Sequence, residues 1–248
     1  MKILKYKKLK SQKYQVFLDN LEILELYEET ILKYDLLITK KVDEKILEEL
    51  LEYNKKYEAY YTCLKYLNVR VRSRKEIKDY LKKKDYNDDV INYVIAILEK
   101  QGYLNDLAFA KSFLNNKLIT TNNGPFTIRR DLLKHEISIN DIDLVLEEYT
   151  DDIQLEKIKK HINRIIKSNR NKSNIVLQRK ILIDLNNEGF KKNLIQQEIS
   201  KIDFADDKDL AKKEYDKLYK KLSRKYSGRE LELKIKQKLY QKGFSIEQ

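Results

Sequence analysis

Apolar and polar residues alternate over positions 14–23, on both sides of Asp19-Asn20. Alternation with a period of two is typical of β-strands, and Asp and Asn both tolerate the positive φ angles of tight turns. The pattern therefore predicts a β-hairpin. Residues 27–34 then predict one short helix, so we expect residues 1–55 to form a small N-terminal extension of a hairpin and short helices.

From about residue 43 onward, the apolar residues change to the i, i+3, i+4 spacing of amphipathic helices. The first run of this kind comprises Ile46, Leu47, Leu50, Leu51, Tyr57, Tyr60, Tyr61, Leu64 and Leu67. Asp43 precedes it and is a suitable N-cap residue. Nearly all of the chain after this point reads as short helices separated by polar joints, which predicts a mainly α fold.

Two kinds of landmark recur along the helical part of the chain. Helix starts fall at four positions: Ser73, Gly124, Ser173 and Ser227. Ser73 and Ser227 each precede a glutamate by three residues, the pattern of a capping box, and Gly124 precedes a proline that suits a first helical position. Helix ends fall at four similar joints: Lys84-Asp85-Tyr86, His135-Glu136-Ile137, Glu188-Gly189-Phe190 and Lys242-Gly243-Phe244. Both series give a period of about 50 residues, which is typical of a helical repeat array.

This period divides the helical region into units of three helices. The predicted boundaries are 56–104 for repeat 1, 105–151 for repeat 2, 152–205 for repeat 3 and 206–248 for a partial repeat 4. The third helix of repeat 4 should follow Phe244-Ser245, close to the last residue of the sequence. We therefore predict tandem three-helix repeats, in which each unit contacts its neighbours.

Composition narrows the functional classes. The 248 residues include 52 Lys and Arg against 40 Asp and Glu, a formal net charge of +12. A single cysteine excludes a disulfide framework and a cysteine-based zinc site, and five scattered glycines exclude the Rossmann and P-loop motifs. The sequence shows neither a run of apolar residues long enough to span a membrane nor a secretory leader, so we expect a cytoplasmic protein.

Candidate catalytic residues are few. His135 and His161 are the only histidines, and neither has a second ligand at metal spacing. Cys63 falls on the apolar face of a helix, where a lone cysteine is usually a small core residue. The carboxylates are scattered over helix surfaces. We therefore predict that the protein is not an enzyme and needs no cofactor or metal.

Basic residues cluster near the four recurring helix starts. The candidate partner-binding or DNA-binding residues are Arg70, Arg72, Arg74, Lys78, Lys82, Arg129, Arg130, Lys134, Arg179, Lys180 and Arg229. Arg74, Lys78 and Lys82 are spaced by four and form one stripe on a helix. The arginine guanidinium is a planar fork that suits phosphate or carboxylate. The alternative interpretation is a solvated face that keeps the repeats soluble.

A second basic run extends from Lys157 to Lys172 and includes His161, Arg164 and Arg170. It suits a phosphate backbone, and it equally suits the exposed side of a long helix whose other side is apolar.

The 18 tyrosines raise the question of base stacking. Most of them, however, fall at helical core spacing or at the joints, so we assign most of them to packing.

Three segments resemble the RecX family of regulatory proteins. They are residues 72–81 (RSRKEIKDYL), 97–110 (ILEKQGYLNDLAFA) and 124–132 (GPFTIRRDL). The region 14–34 is similar to the N-terminal extension of longer family members, so the resemblance covers nearly the whole chain. The sequence departs from the family at Lys84-Asp85 and His135-Glu136, where a Lys-Gly pair is common.

The resemblance implies a non-enzymatic regulator whose three-helix repeats form a curved, elongated array. It implies binding to the bacterial recombinase RecA and to its filaments on single-stranded DNA. It further implies inhibition of filament extension, ATP hydrolysis, strand exchange and the co-protease activity that triggers the SOS response in DNA repair. We expect a monomer that contacts single- or double-stranded DNA at most weakly.

Two alternatives stay open on the sequence alone. Three-helix units with arginine-rich second helices also suit a stand-alone DNA-binding module of helix-turn-helix type, which would bind naked DNA tightly and with strong salt dependence. The other alternative is a helical protein-interaction scaffold without a nucleic acid partner. Full activity after charge reversal of Arg72, Arg74, Arg129 and Arg130 would favour the scaffold.

Overall fold

The structure is a computed structural model that describes residues 1–10, 12–169, 172–204 and 207–244. The chain divides into two compact units. The first comprises Met1–Ser112 with Lys134–Asp141, and the second comprises Phe113–Leu133 with Ile142–Gln248. The position expected for the third helix of repeat 4 lies outside the described residues.

Three antiparallel strands open the first unit in the order β1 (Ile3–Lys8), β2 (Lys13–Leu18) and β3 (Ile23–Tyr27). The predicted hairpin is the β2–β3 pair, in which Phe17 lies opposite Ile23. The alternation pattern did not predict β1, because Ile3 is the one residue of this strand that is buried. A strand that buries so little apolar surface has no period-two signal in its sequence.

The hairpin turn uses its residues differently from the expectation. The positive φ angle falls on Leu21 (φ 69°) and not on Asp19 or Asn20. The Asp19 carboxylate accepts a hydrogen bond from the Lys2 N–H at 2.9 Å, and the Asn20 side chain accepts one from the Glu22 N–H at 3.1 Å. Asn20 therefore stabilises the turn by a local hydrogen bond, as Asx residues commonly do, whereas Asp19 ties the turn to the residue that precedes β1.

Helices make up most of the remaining chain, so the mainly α prediction is confirmed. The sheet is followed by α1 (Glu28–Lys33), α2 (Leu36–Thr39), a 3-10 turn (Glu44–Ile46) and α3 (Leu47–Leu67). Then come α4 (Arg74–Lys82), α5 (Asp88–Lys100), α6 (Asp106–Thr120), α7 (Pro125–Lys134), α8 (Ile139–Leu146), α9 (Asp151–Ser168), α10 (Asn174–Glu188), α11 (Lys192–Ser200), α12 (Lys208–Leu222) and α13 (Gly228–Gln241). Because α3 begins at Leu47, the first helix of repeat 1 starts before the predicted boundary at residue 56. The repeat boundaries themselves stay a prediction.

The helices are held by local apolar clusters. The cluster of α3, α4 and α5 contains Cys63, Ile77, Leu81, Ile91 and Leu98, all fully buried. A smaller cluster around Ile235 joins α12 and α13. Helices of this length are marginal alone, so burial of apolar surface, about 25 cal/mol per Å², supplies most of their stability.

The recurring helix starts are capped in different ways. Ser73 forms the predicted capping box, because its hydroxyl accepts a hydrogen bond from the Glu76 N–H at 3.2 Å and the Glu76 carboxylate accepts one from the Ser73 N–H at 3.3 Å. The capping box predicted at Ser227 is wrong, since its side chain makes no cap hydrogen bond. There the first helical residue, Gly228, has a φ of +54°, outside the helical range that a capping box requires.

The four predicted joints share one backbone conformation. The residues Asp85, Glu136, Gly189 and Gly243 all adopt a left-handed φ, of 63°, 58°, 86° and 78° respectively. At three joints the next N–H donates to the carbonyl five residues back: Tyr86 to Leu81, Phe190 to Leu185 and Phe244 to Leu239. This is the Schellman pattern of helix ends. Asp85 therefore keeps the Schellman geometry without glycine, and Glu136 keeps the left-handed φ of its joint.

The second helices of repeats 1 to 3 are α4, α7 and α10. Each begins next to the joint that ends the second helix of the following repeat. The Gly124 N–H, before α7, donates to the Glu188 carbonyl at 2.7 Å. The Ser173 hydroxyl, before α10, donates to the Lys242 carbonyl at 2.8 Å. Near the start of α4, the Lys75 ammonium contacts the Glu136 carboxylate at 2.8 Å. The three contacts differ in kind, but they join equivalent positions along the chain, as expected for repeats in which each unit contacts the next.

Candidate interaction surface

The predicted stripe on α4 is exposed, but two of its three members are paired within the protein. Arg74 contacts Glu99 at 3.2 Å, and Lys82 contacts Asp88 at 3.3 Å. Lys78 is exposed and forms no ion pair with any described residue. On α4, therefore, Lys78 is the cation that is most available to a partner.

The two arginines before α4 have local roles. Arg72 is only 13% exposed, and its guanidinium lies 3.9 Å from the ring centroid of Tyr66, which stacks on Tyr80 at 4.0 Å. Arg70 forms an ion pair with Glu76 at 2.5 Å. Stacking on a tyrosine face and partial burial favour a packing role for Arg72.

The basic residues of α7 are placed differently from one another. Arg129 pairs with Asp143. Arg130 is exposed and has no ion pair within the described part of the chain, and Lys134 is exposed at the last turn. A cation in the last turn of a helix is favoured by the helix dipole.

On α10 one cation is paired within the protein and one is not, whereas none of the basic residues of α13 pairs with a described carboxylate. Lys180 pairs with Asp184 at 2.9 Å on its own helix. Arg179 and Arg229 are exposed, and neither pairs with a described carboxylate. Each of the four second helices thus presents an arginine or lysine without an ion pair to a described residue: Lys78, Arg130, Arg179 and Arg229. On α13, Lys234, Lys236 and Lys238 also form no ion pair with a described residue.

Exposed apolar side chains lie beside three of these cations at helical spacing. The stripes are Phe126, Arg130 and Leu133 on α7; Ile175, Arg179 and Ile183 on α10; and Arg229, Leu233 and Tyr240 on α13. The spacings are three, four or seven residues, so the members of each stripe share one face of their helix. Tyr240 is the most exposed, at 80%. We call these three sets the mixed stripes.

Sequence reasoning identified the arginines of the mixed stripes and missed the apolar neighbours. The reason is that an apolar residue at helical spacing is normally assigned to the core. On α10 the core positions are Leu177, Ile181 and Leu185, and Ile175 and Ile183 fall off that face. The sequence does contain a pattern that could have indicated them. Ile175 and Ile183 form a second apolar stripe at helical spacing, on a different face from the core and on either side of Arg179.

The second basic run lies along α9. Lys157 is half-buried and donates to the carbonyls of Leu118 and Thr121 at 2.7 and 2.8 Å, so it caps the end of α6. Burial lowers the pKa of Lys157. An open groove of about 540 Å³ follows the outer face of α9 and is lined by Lys160, Asn163, Arg164, Lys167 and Ser168. Arg170 lies outside the described residues.

The histidine of α9, His161, points into the protein and not towards the groove. It is 4% exposed, and its Nδ1 lies 2.9 Å from both the Asn122 amide nitrogen and the Arg164 guanidinium. Because both neighbours can only donate, Nδ1 accepts and the ring proton is assigned to Nε2. Burial lowers the pKa of His161, the Glu188 carboxylate 3.4 Å away opposes this, and Arg164 adds to it.

The remaining candidates for chemistry are structural. Cys63 is buried in the α3–α5 core as predicted, and burial raises the pKa of its thiol to about 12. Across the described residues, no group of three His, Cys, Asp or Glu side chains is placed to hold a metal. None of the described helices has the length and apolar composition needed to cross a membrane.

The structure is that of a helical-repeat protein built from three-helix units. Its candidate functional sites are the mixed stripes on the helix surfaces. Residues 59–98 match the family model described as RecX, first three-helix domain. The regulatory protein RecX of Listeria monocytogenes serotype 4a is 32% identical over 240 residues, which cover 95% of this chain and 89% of the relative. That of Bacillus velezensis is 29% identical over 243 residues, 97% of this chain and 92% of the relative. The chain belongs to the RecX family of regulatory proteins.

Solved structures agree with this assignment. A crystal structure of regulatory protein RecX matches with a TM-score of 0.71 and 26% identity, covering 79% of this chain and 98% of the other. RecX from Lactobacillus salivarius matches with a TM-score of 0.55 and 30% identity, covering 59% and 97%. The mainly α fold with three-helix domains and a small N-terminal sheet is therefore confirmed.

Proposed function

We propose that the protein binds the bacterial recombinase RecA and its filaments on single-stranded DNA, and that it inhibits filament extension, ATP hydrolysis, strand exchange and co-protease activity. Membership of a family of regulatory proteins supports a regulatory role. The sequence resemblance supports the recombinase as the partner. In this proposal the protein acts by binding and performs no reaction itself.

The observation that carries this proposal is the set of mixed stripes. The core of a protein–protein interface is apolar and enriched in arginine and aromatic side chains, whereas a surface that binds only phosphate has no use for exposed Ile or Leu. Arg130, Arg179 and Arg229 are unpaired within the described residues, so no internal ion pair must break when a partner binds. The stripes therefore favour a protein partner.

Repetition of the stripe explains how weak contacts add up. A filament presents the same surface once per subunit, and several second helices present similar stripes. Once one stripe is bound, the next binds at a high effective concentration, so the total affinity exceeds that of any single contact. We place Lys78, Arg130, Arg179 and Arg229 at the centres of these contacts.

The test is a titration of the protein into RecA and single-stranded DNA, with ATP hydrolysis and strand exchange as readouts. The wild type should inhibit both at less than one molecule per recombinase. A triple variant, Arg130→Glu, Arg179→Glu and Arg229→Glu, should need at least ten times more protein, since one interface hot spot contributes about 2 kcal/mol. Unchanged rates at equimolar wild type would refute the proposal.

A matched control carries the same change in charge elsewhere. Lys213, Lys220 and Lys221 are exposed on α12, a first helix, and form no ion pair with described residues. Their triple change to Glu should leave inhibition within about twofold of the wild type, because surface charge alone is a weak, screened effect. Arg72 is omitted from the charge reversals, because its packing on Tyr66 makes unfolding the expected outcome.

The apolar members of the stripes separate a protein partner from DNA. Phe126→Ala, Ile183→Ala and Tyr240→Ala together leave the net charge unchanged. If a protein surface is the partner, this variant should lose inhibition as the arginine variant does. If DNA phosphates are the partner, it should inhibit normally, and the recombinase would not be the surface that the stripes contact.

A second candidate function, direct binding of a DNA backbone, is favoured by α9. No acidic residue occurs between Glu156 and Asp184, whereas a helix surface that serves only solubility usually mixes both signs. Lys160, Arg164 and Lys167 line one groove and extend over about 10 Å of helix, the length of about three phosphates on one strand. The groove lining contains no aromatic ring, so it fits backbone contact without base stacking.

Fluorescence anisotropy with labelled DNA tests this second function without recombinase. Changing Arg164 and Lys167 to Gln should weaken binding equally for all sequences and should lower the slope of log affinity against log salt by about two. The stripe variant with three Glu residues should keep more of the salt slope than the α9 variant. Equal slopes for wild type and the α9 variant would exclude α9 as a DNA site.

A further inference from the structure

The first unit contains a partly open pocket between α1, α3 and α5 that the proposed function does not use. Its volume is about 420 Å³, and its lining includes Glu29, Tyr57, Tyr60, Tyr61 and Gln101. A volume of this size accommodates one long side chain or a small ligand. Three aromatic rings and two oxygen acceptors are an unusual lining in a chain whose net charge is +12.

The carboxylate of Glu29 is only half satisfied. Its Oε1 accepts a hydrogen bond from the Tyr61 hydroxyl at 2.6 Å. Its Oε2 is buried and has no hydrogen-bond partner among the described residues. A buried charged oxygen without a partner is costly, so this carboxylate gains from any cation that reaches it.

The tyrosines are arranged so that their hydroxyls do not compete for that oxygen. The Tyr60 hydroxyl donates to the Gln101 side-chain oxygen at 2.6 Å. The ring planes of Tyr60 and Tyr61 meet at 74° with centroids 5.2 Å apart, and those of Tyr57 and Tyr60 meet at 70° with centroids 6.2 Å apart. In such pairs the edge of one ring meets the face of the other, and Tyr61 also stacks on Tyr27 with centroids 5.0 Å apart. An incoming cation therefore contacts these rings only at the faces that stay open to the pocket.

The lining of the pocket carries one carboxylate, Glu29, and one ammonium, Lys100. Burial raises the pKa of Tyr61, and the hydrogen bond and charge of Glu29, with a smaller effect of Glu28, raise it further. Tyr60 likewise has a pKa raised by burial. The phenols therefore stay neutral at physiological pH, and Glu29 is the counter-ion that the pocket offers.

Cations occupy other tyrosine faces in this protein but not these. Lys33 lies 3.7 Å from the Tyr53 ring centroid, and Arg72 lies 3.9 Å from that of Tyr66. In the described part of the chain, no Lys or Arg lies over Tyr57, Tyr60 or Tyr61. Lys100 contributes to the lining without such a contact, so it competes with an incoming cation through its charge.

We propose that this pocket binds a guanidinium group, in the form of an arginine side chain presented by a partner protein, with Glu29 as its counter-ion. A guanidinium stacks on aromatic faces and carries five donors, which suits the free Glu29 oxygen together with the Gln101 side chain. A lysine ammonium is more strongly hydrated and stacks less well. This site goes beyond the proposed recombinase binding and does not depend on it.

The test uses the full chain and small probes, with no recombinase or DNA present, so its failure is distinguishable from failure of the proposed function. N-acetyl-arginine amide is titrated while tyrosine NMR signals and tyrosine fluorescence are recorded. N-acetyl-citrulline amide, which has the same shape without the charge, is the control probe. Saturable shifts of Tyr57, Tyr60 and Tyr61 are expected with the arginine probe alone.

Variants assign the site. Glu29→Gln should weaken the arginine probe by about tenfold or more, the size expected for a hydrogen bond to a charged group. Glu52→Gln, which removes an exposed carboxylate from α3, should change nothing. Lys100→Met removes the competing charge and should strengthen binding severalfold. This last variant keeps the test valid if Glu29→Gln is poorly folded.

Three outcomes would overturn the proposal. Equal binding of the arginine and citrulline probes would show that charge is not recognised. Equal binding by wild type and Lys100→Met, together with no loss in folded Glu29→Gln, would place the probe elsewhere. Binding of guanidinium chloride as tight as that of an acetylated Gly-Arg-Gly peptide would exclude the peptide-borne arginine as the preferred form.

Discussion

The joints of the two units reach the same backbone conformation with different residues. Asp85 and Glu136, both in the first unit, carry side chains in the left-handed region, whereas the second unit has Gly189 and Gly243 there. A side chain in this region costs about 1–2 kcal/mol relative to glycine. Whether a joint requires glycine or tolerates a larger residue therefore depends on the atoms that surround it.

The surroundings of Gly189 and Glu136 explain the difference. A Cβ atom on Gly189 would lie 2.5 Å from Thr127 Oγ1 and 2.6 Å from its backbone nitrogen, so only glycine fits. The Glu136 side chain instead extends to the surface and contacts the Lys75 ammonium at 2.8 Å. A crowded joint requires glycine, and an open one tolerates a side chain that makes a contact of its own.

The largest expected effect comes from filling the crowded joint. Gly189→Ala adds backbone strain to a collision with Thr127 and should lower the free energy of unfolding by about 3 kcal/mol. Gly102 is the matched control, because its φ is +75° and an added Cβ meets no atom within 4 Å. Gly102→Ala should therefore cost about 1 kcal/mol. Urea unfolding of both variants measures the difference, and equal losses would contradict the steric argument.

The second effect is a pH dependence that originates beside the Gly189 joint. The folded protein holds the pKa of His161 below its usual 6.5, mainly through burial, so the unfolded chain binds the proton more readily. Stability should be complete above pH 6.5 and should fall as the pH is lowered below it. His161→Gln should remove this dependence between pH 7 and 5 in urea unfolding. An identical slope in the variant would assign the dependence to other groups.

A third and smaller effect relieves strain at an open joint. Asp85→Gly should stabilise the protein by about 0.5–1 kcal/mol, because the left-handed residue no longer carries a Cβ. Glu136→Gly should gain less, since it also removes the contact with Lys75. Thermal unfolding of the two variants ranks them, and a loss of stability in Asp85→Gly would show that Asp85 has a role of its own.

The smallest effect concerns the ion pair at the Glu136 joint. Lys75 holds the pKa of Glu136 below its usual 4.5 through a hydrogen bond and through its charge, and Lys78 contributes least. The stabilisation from this pair is present above pH 4.5 and is lost as the pH falls through the lowered pKa. Lys75→Met should return the pKa of Glu136 towards 4.5, and Lys78→Met should move it much less. Carboxyl NMR titration measures both.

The positions of helices and joints could be read from the sequence because they depend on local periodicity and capping. The joint at Gly243 follows from a glycine placed before an aromatic residue, and the helix start at Ser73 follows from its capping box. The left-handed conformation of Asp85 and Glu136 was not predicted, because neither residue type favours that region as glycine does. β1 could not be predicted, because its pairing with β2 is a long-range contact that leaves most of its side chains exposed.

The candidate surface was less predictable than the fold. Sequence spacing placed Arg74, Lys78 and Lys82 on one stripe, but it could not show that Arg74 and Lys82 are paired with Glu99 and Asp88. Those carboxylates belong to α5 and to its first turn, and their distance from α4 depends on how the two helices pack. The same limit applies to Arg72, whose packing against Tyr66 no motif indicates.

The sequence by itself determined the period of the repeat, the order of the helices and the family of the protein, because each is encoded in spacings within one or two turns or in the order of short segments. Only the tertiary structure decided which cations remain unpaired, which apolar residues are left on the surface and where Glu29 meets Tyr61. These properties depend on contacts between residues that are tens of positions apart. Such contacts are set by the packing of whole helices, which local periodicity does not specify.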